Sequence, residues 1–253
     1  MPGIYLWMPA FQVRPARSGF PSGFWRRWAK SAGVGTLAAL SGCASFSTAS
    51  GPSRAVENPD GYAQEALDRT LPDSPVRILF DFRYREADMR FRGRGVARVE
   101  PPYKVRVDLF SPQGETLFQA ALVGSDLRIP TWAPREMAPP PPLLWASLGV
   151  FRPDPTWALS GGDHGRDGRV VLRYDSGPEE ELRFAVENGR LVRAELHRDG
   201  HLTEEVGLSL AETSGTVQET VYRNLAEFLE LTFSLETVET VESFPSDIWD
   251  PGR

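Results

Sequence analysis

From residue 76 onward, apolar and polar residues alternate along several segments, and this period of two limits the fold more than any other feature. In the first segment, every second residue from Ile78 to Tyr84 is apolar, and most positions between them are charged. Because successive side chains of a β-strand point to opposite faces, the pattern predicts an antiparallel sheet with one apolar face. The same alternation recurs at 104–109, 182–186 and 229–235.

The dipeptide Asn188-Gly189 lies between two such runs and predicts a hairpin. A two-residue loop would place Phe184 opposite Arg193 and mix the two faces of the sheet. A three-residue loop over 187–189 pairs Phe184 with Val192 and keeps one face apolar. We therefore predict the three-residue loop.

The dipeptide Asp199-Gly200 predicts a second hairpin in the same way. A three-residue loop there pairs Leu196 with Leu202, so about residues 180–210 are expected to form a three-stranded meander. In this register His197 and His201 face each other across the hairpin, on the outer face of the sheet.

A short apolar helix is predicted between the sheet segments. Residues 132–142 are rich in proline and cannot form a central strand. The following sequence, PLLWASLG at 142–149, has proline near its start and glycine at its end, which indicates a helix. A helix that interrupts a one-sided sheet is expected to cover the sheet's apolar face. No second domain is indicated, because the body of about 180 residues has the size of one domain.

The first 42 residues differ in charge from the rest of the chain. They hold five of its 28 basic residues and none of its 34 acidic residues, so the remainder carries a formal net charge of −11. A basic leader before an acidic body is typical of an export signal. The acidic body also argues against a nucleic-acid partner, because no broad basic face would neutralise phosphates.

The export signal ends at the chain's single cysteine. A basic stretch, 25–30, precedes an uncharged run, 31–40, which is too short to span a bilayer but fits a signal peptide. Leu40-Ser41-Gly42-Cys43 resembles the lipobox cut by lipoprotein signal peptidase. We predict a lipoprotein signal peptide over 1–42 and lipidation at Cys43. Sec and twin-arginine export both stay open, as does the true start codon.

The residues after the cysteine are expected to form a tether. Residues 43–75 are rich in Ser, Gly, Pro and Ala, with a short helix predicted at 60–71. Several acyl chains on Cys43 would give a stable anchor, since each buried CH₂ contributes about 0.8 kcal/mol. Ala44 stands where proteobacterial lipoproteins kept in the inner membrane have Asp. This resemblance predicts the periplasmic face of the outer membrane.

No motif for catalysis or cofactor binding stands out. The sequence contains no Gly-x-Ser-x-Gly elbow, phosphate loop or dinucleotide fingerprint. We therefore predict no enzymatic activity, no cofactor and no metal. A metal-dependent hydrolase would need His197 and His201 to share an ion with Glu195, and solvated surface histidines are the preferred interpretation. His164 is placed in a loop.

Aromatic residues are plentiful in and beside the predicted strands. They would fill a core or, if the sheet curls under the short helix, line an apolar cavity, and the sequence does not separate these two cases. Gly93 and Gly95 are expected to mark a bend or bulge where the sheet curls. The residues predicted to bind a ligand are Phe80, Phe82, Leu109, Leu117, Trp132, Leu144, Trp145, Leu148, Phe184 and Phe233. Leu144, Trp145 and Leu148 are predicted to form a lid.

In the order of these features the chain resembles the LolB family of outer-membrane lipoprotein receptors. FRGRGVA at 91–97 looks like the family's early strand, and YKVRVDLFSPQGETL at 103–117 looks like its strand–loop–strand. The helix at 143–149 corresponds to its cover helix, and Ser243-Phe244-Pro245 resembles the close of the wider LolA-like fold. The resemblance implies that residues 76–253 form a mainly β, unclosed antiparallel barrel of about eleven strands, lidded by short helices.

One position departs from the family. In LolB a leucine protrudes from the loop that matches 111–114 and helps to place cargo in the bilayer, and here Gln113 takes its place. An amide gains nothing by entering lipid, which favours a relative with a changed ligand.

The function implied by the resemblance is binding of lipid or lipoprotein acyl chains in a hydrophobic cavity. This implies a role in lipoprotein localisation, with the membrane reached through the lipid anchor and a periplasmic carrier protein as a candidate partner. The alternative is a structural or interaction lipoprotein of the cell envelope whose core is filled.

Overall fold

A computed structural model describes residues 54–165 and 167–252. The predicted signal peptide, Cys43 and the first part of the predicted tether lie outside the described residues. Neither of the two helices within the described ranges is long and apolar enough to cross a membrane.

The described residues form thirteen strands, two α-helices and two short 3-10 helices. The strands are β1 (Arg54–Ala55), β2 (Val76–Glu86), β3 (Met89–Glu100), β4 (Lys104–Phe110), β5 (Thr116–Val123), β6 (Asp126–Arg128), β7 (Ala158–His164), β8 (Val170–Asp175), β9 (Glu180–Glu187), β10 (Arg190–Arg198), β11 (His201–Leu210), β12 (Val217–Asn224) and β13 (Leu229–Thr240). The helices are α1 (Pro59–Thr70) and α2 (Pro141–Ser147), and the 3-10 helices span Arg135–Met137 and Ser246–Trp249. Both β1 and α1 fall within 43–75.

All thirteen strands belong to one antiparallel sheet with the order β1-β7-β8-β9-β10-β11-β12-β13-β2-β3-β4-β5-β6. The sheet is joined at its centre by β13 and β2, which come from the two ends of the folded chain. Its edge strands, β1 and β6, do not pair with each other among the described residues, so the barrel is unclosed. The predicted mainly β, unclosed antiparallel fold is confirmed.

Burial follows the alternation that the sequence shows. The apolar residues of β2 from Val76 to Tyr84 are buried at every second position, and Arg77, Asp81 and Arg83 between them are exposed. We call the face that carries the buried residues the inner face and the opposite one the outer face. The hydrophobic core lies on the inner face and includes α2.

The first hairpin of the meander turns through two residues, so the predicted three-residue loop is wrong. Asn188 and Gly189 both have positive φ, 51° and 71°, as a tight two-residue turn requires. Leu191 pairs with Val186, and a β-bulge on β10 then brings Ala194, instead of Val192 or Arg193, opposite Phe184. The bulge keeps the apolar residues on one face of the sheet. From the sequence, we expected a three-residue loop to have this effect.

The second hairpin repeats this arrangement, and its predicted register is also wrong. Asp199 and Gly200 form a two-residue turn with φ of 52° and 75°. A bulge on β11 then pairs Leu196 with Glu204, and not with Leu202. A buried carboxylate therefore lies on the inner face, where an apolar residue was expected.

Gly93 and Gly95 lie in a regularly paired part of β3, so a bulge there is wrong and a bend stays a prediction. They pair with Phe82 and Phe80 without a shift in register. A Cβ on Gly95 would lie 2.1 Å from the Phe80 ring, and one on Gly93 would lie 1.9 Å from the carbonyl oxygen of Phe110. Glycine is needed here because rings and backbone approach the strand closely.

Both predicted helices are confirmed. At the start of α1, Pro59 follows Asn58, whose side chain accepts a hydrogen bond from the Gly61 N–H at 3.0 Å. Helix α1 packs on β7, β8 and β10, and α2 packs on β10, β11 and β12. Since residues 142–147 are all buried, α2 covers the apolar face of the sheet.

The end of the chain packs on the outer face of β4 and β5. Trp249 is buried there, with the ring of Phe244 edge-on at 5.9 Å. Arg106 donates a hydrogen bond to the carbonyl oxygen of Ile248, and Arg128 donates to that of Trp249 at 3.1 Å. These bonds fix the 3-10 helix Ser246–Trp249 to the sheet.

Candidate functional site

An apolar cavity of about 210 Å³ lies between the inner face and the turn that follows α2. The turn contributes Leu148, Gly149 and Val150. Strands from both halves of the sheet contribute aliphatic side chains: Val76, Ile78, Val99, Leu191, Leu210, Val217, Leu235 and Val238. We call this space the acyl cavity, because its lining is aliphatic and contains no aromatic ring.

Gly149 determines how the chain leaves α2 and enters the cavity wall. Its φ is +81°, a left-handed conformation that favours glycine at a helix C-terminus. The Gly149 N–H donates to Ala146, and the Val150 N–H donates to Trp145 at 3.1 Å, which closes the last turn of the helix. A Cβ at Gly149 would also lie 2.5 Å from a methyl of Val217. Glycine here therefore allows both the turn and its contact with β12.

Two arginines lie at the rim of the acyl cavity. Arg190 donates a hydrogen bond to the carbonyl oxygen of Gly215, and the Arg69 Nε donates to Glu65 Oε1 at 2.9 Å. An aliphatic interior beside guanidinium groups suits an amphiphile that has an apolar chain and an anionic head.

The predicted ligand-binding residues do not lie together in one site. Leu148 lines the acyl cavity, and Leu144 and Trp145 are buried in α2. Most of the others belong to the buried core: Phe80, Phe82, Leu109, Phe184 and Phe233. Leu117 is partly buried against that core, and Trp132 is 52% exposed. Gln113 lies in an exposed turn, where its N–H donates to Ser111 Oγ at 3.2 Å.

Aromatic rings fill the middle of the inner face. The centroids of Phe80 and Phe233 are 4.5 Å apart, and those of Phe151 and Phe184 are 4.8 Å apart. These residues contact one another, which explains why the acyl cavity lies beside smaller side chains. Sequence reasoning missed Val99, whose place on the inner face follows from its alternation with Ala97. No signal in the sequence marks Val217.

The histidines do not form the arrangement that the predicted register gave. His197 pairs with Leu202, and the exposed His201 pairs with Arg198. His197 is buried, with Nε2 3.1 Å from Glu195 Oε2. His164, predicted in a loop, is the last residue of β7. Among the described residues no three His, Cys, Asp or Glu side chains are grouped to hold a metal ion.

A buried hydrogen-bonded group also lies on the inner face. The Tyr222 hydroxyl donates to Glu204 Oε2 at 2.6 Å, and Arg198 Nη1 donates to Glu204 Oε1 at 2.9 Å. The pKa of Tyr222 is raised well above its usual range. Burial is the largest cause, and the hydrogen bond to Glu204 is the second. Burial likewise raises the pKa of Tyr84, and it raises the pKa of Tyr174 to about 12.

These tyrosines predict a loss of stability at alkaline pH. Each has a folded-state pKa above its unfolded value of about 10, so its contribution is complete below pH 10 and is lost as pH rises toward 12 and beyond. We expect the melting temperature to fall over this range, and we expect Tyr222→Phe, which has no phenol, to reduce the steepness of the fall. Melting curves recorded from pH 9 to 12 measure this fall in melting temperature. If the melting temperatures of the parent protein and of Tyr222→Phe fall equally steeply with pH, the raised pKa of Tyr222 is contradicted.

The fold formed by this sheet and its covering helices is similar to that of two solved structures. A LolA superfamily protein from Nitrosomonas europaea superposes with a TM-score of 0.51 at 12% identity, over 76% of this chain and 96% of that one. A domain assigned to outer membrane lipoprotein sorting, from Vibrio parahaemolyticus, gives 0.51 at 10% identity, over 74% and 94%. No protein-family model and no curated protein sequence matches the chain. The predicted LolA/LolB-like fold is confirmed, and particular closeness to LolB stays a prediction.

Proposed function

We propose that this chain is a non-enzymatic lipoprotein of the bacterial cell envelope that binds the acyl chain of a lipid or lipoprotein. The acyl cavity carries the proposal, because it is aliphatic, lies on the inner face of an unclosed barrel and is bordered by the turn that follows the covering helix. In this role Cys43 anchors the chain to the outer membrane, facing the periplasm. A role in lipoprotein localisation and a periplasmic carrier as partner belong to the same proposal.

Two observations support this function besides the cavity. The lipobox-like sequence at Cys43 is typical of an envelope lipoprotein. The structures that share the fold are a LolA superfamily protein and a domain assigned to outer membrane lipoprotein sorting.

We infer that the turn after α2, and the end of α2 with it, shifts when an acyl chain binds. The volume of the acyl cavity, about 210 Å³, is below the roughly 300–1,000 Å³ of ordinary ligand pockets. Within the described ranges, the side-chain bonds that join the end of α2 to the rest of the fold include Thr220 Oγ1 to the Ser147 carbonyl oxygen at 2.8 Å and the Phe151 N–H to Thr70 Oγ1 at 2.9 Å. An acyl chain that displaced α2 would replace its apolar contacts with equally apolar ones.

Filling the acyl cavity is expected to weaken fatty-acid binding. Leu235 is partly buried and points into the cavity, so Leu235→Trp would place a ring there without overpacking the core. If the ring excludes two methylenes at about 0.8 kcal/mol each, the affinity falls about tenfold or more. Titration of the full chain with a fluorescent fatty acid measures this affinity.

Leu79→Trp is the matched control, because Leu79 lies on β2 beside β13 but occupies the position between the inner-face residues Ile78 and Phe80. We expect this variant to bind like the parent protein. Equal affinities for all three proteins, or equal losses in both variants, would contradict binding in the acyl cavity.

The aromatic rings that fill the centre of the inner face favour a second candidate function. The ring contacts of Phe80 with Phe233 and of Phe151 with Phe184 describe a packed core. A structural or interaction lipoprotein would have such a core and would take up no fatty acid in the same titration.

A further inference from the structure

A second pocket, also of about 210 Å³, lies beside α2 and is separate from the acyl cavity. Its walls are the first turn and Trp145 of α2, the turn between β5 and β6, and the segment after the helix. The lining residues are Gly124, Ser125, Pro141, Pro142, Trp145, Arg152, Pro153, Asp154 and Pro155. Leu148 and Gly149, which line the acyl cavity, are not among them.

Arg152 is a partly buried member of this lining. Its guanidinium carbon lies 5.4 Å from the centroid of the Trp145 ring, in a cation–π contact. Within residues 54–165 and 167–252, no carboxylate lies within 4 Å of it and it makes no hydrogen bond. Burial lowers the pKa of Arg152, because desolvation opposes the charged form and no counter-charge offsets it.

The other groups in the pocket leave the guanidinium free to bind a ligand. Its four prolines have no N–H to donate. The carboxylate of Asp154 is already engaged, since its Oδ1 accepts hydrogen bonds from the Thr156 N–H at 2.8 Å and from Thr156 Oγ1 at 2.6 Å. Ser125 supplies a hydroxyl across the pocket.

We propose that Arg152 binds an oxyanion, a phosphate or a carboxylate, in the pocket between α2 and the β5–β6 turn. A guanidinium that lies over an aromatic ring keeps its N–H edge free, and that fork matches the oxygens of either group in a bidentate pair. The bound anion would give Arg152 the paired counter-charge that Asp154, which bonds to Thr156 instead, does not provide. The site shares no lining residue with the acyl cavity, and it needs no bound acyl chain to form.

Calorimetric titration of the full chain in a non-ionic maltoside detergent tests the site with three probes. Inorganic phosphate and hexanoate test the free anions, and dihexanoyl phosphatidic acid tests a phosphate carried by a lipid. We expect Arg152→Gln to weaken binding of the anions by about tenfold or more, since a hydrogen bond to a charged group contributes about 1.5–3 kcal/mol. Arg135→Gln, which removes an exposed arginine from the segment before α2, should bind like the parent protein.

The three probes also identify the source of the anion. Binding of phosphatidic acid alone would assign the site to a lipid headgroup, whereas comparable binding of phosphate or hexanoate would assign it to a free anion. Arg152→Lys, which keeps the charge but loses the fork, should give an intermediate affinity and covers the case in which Arg152→Gln misfolds. Unchanged affinity in Arg152→Gln, or no binding by the folded parent protein, would overturn the proposal. A failure to bind fatty acid in the acyl cavity would contradict the proposed function but not the anion site at Arg152.

Discussion

Replacing Asp108 with alanine is expected to lower the free energy of unfolding by about 3 kcal/mol or more. Asp108 lies on the outer face of β4 and is only 2% exposed. Its carboxylate accepts hydrogen bonds from Arg98, from Arg106 at 2.7 Å and from Gln119 at 2.9 Å. The alanine variant would leave two partly buried guanidinium groups without their shared counter-charge. It would also loosen Arg106, which holds the carbonyl oxygen of Ile248.

Urea unfolding followed by tryptophan fluorescence measures this loss, and Asp81→Ala is the matched control. Asp81 lies on β2, 3.9 Å from Arg94, and its side chain is 60% exposed. Exposed pairs of this kind contribute about 0–1 kcal/mol, so the control should unfold almost like the parent protein. Losses of the same size in both variants would show that Asp108 does not organise the outer face.

Trp145→Ala is expected to lower the free energy of unfolding by about 3–5 kcal/mol, the usual loss for a large aromatic removed from a core. Trp145 is 2% exposed and is the largest side chain of the apolar helix α2. Its removal leaves a cavity between α2 and the inner face. It also removes the ring on which Arg152 lies.

Trp132→Ala is the matched control. The sequence predicted that both tryptophans bind the ligand, but the structure buries only Trp145. Trp132 is 52% exposed, so its removal should change the free energy of unfolding by less than about 1 kcal/mol. Urea unfolding of the two variants, followed by circular dichroism, tests the difference. A Trp145→Ala protein as stable as Trp132→Ala would mean that α2 does not pack firmly on the sheet.

The sheet could be predicted from the sequence because alternation is a local property of a strand. The order of polar and apolar residues from Ile78 to Tyr84 is enough to define both faces of β2. The hairpin registers could not be predicted in this way. A bulge shifts the pairing partners of Phe184 and Leu196 by one residue. The alternation of polar and apolar residues in the sequence does not reveal this shift.

The place of the cavity could be predicted only in part. The apolar sequence 142–149 predicted the covering helix and Leu148 within it. Which inner-face side chains meet each other depends on side-chain volumes across strands that are far apart in the chain. The largest rings, such as Phe80 and Phe233, pack against each other in the middle of the inner face. The remaining space lies beside smaller residues such as Val99 and Val217.

Photo-crosslinking with a diazirine-bearing fatty acid tests acyl binding most directly. The full chain is irradiated with the bound probe, and the labelled peptides are identified by mass spectrometry. Our account predicts labels on residues that line the acyl cavity, above all Leu148, Val217 and Leu235, and their loss when unlabelled fatty acid is added. Labels confined to exposed apolar residues such as Trp132 and Phe228, or no competable label, would contradict it.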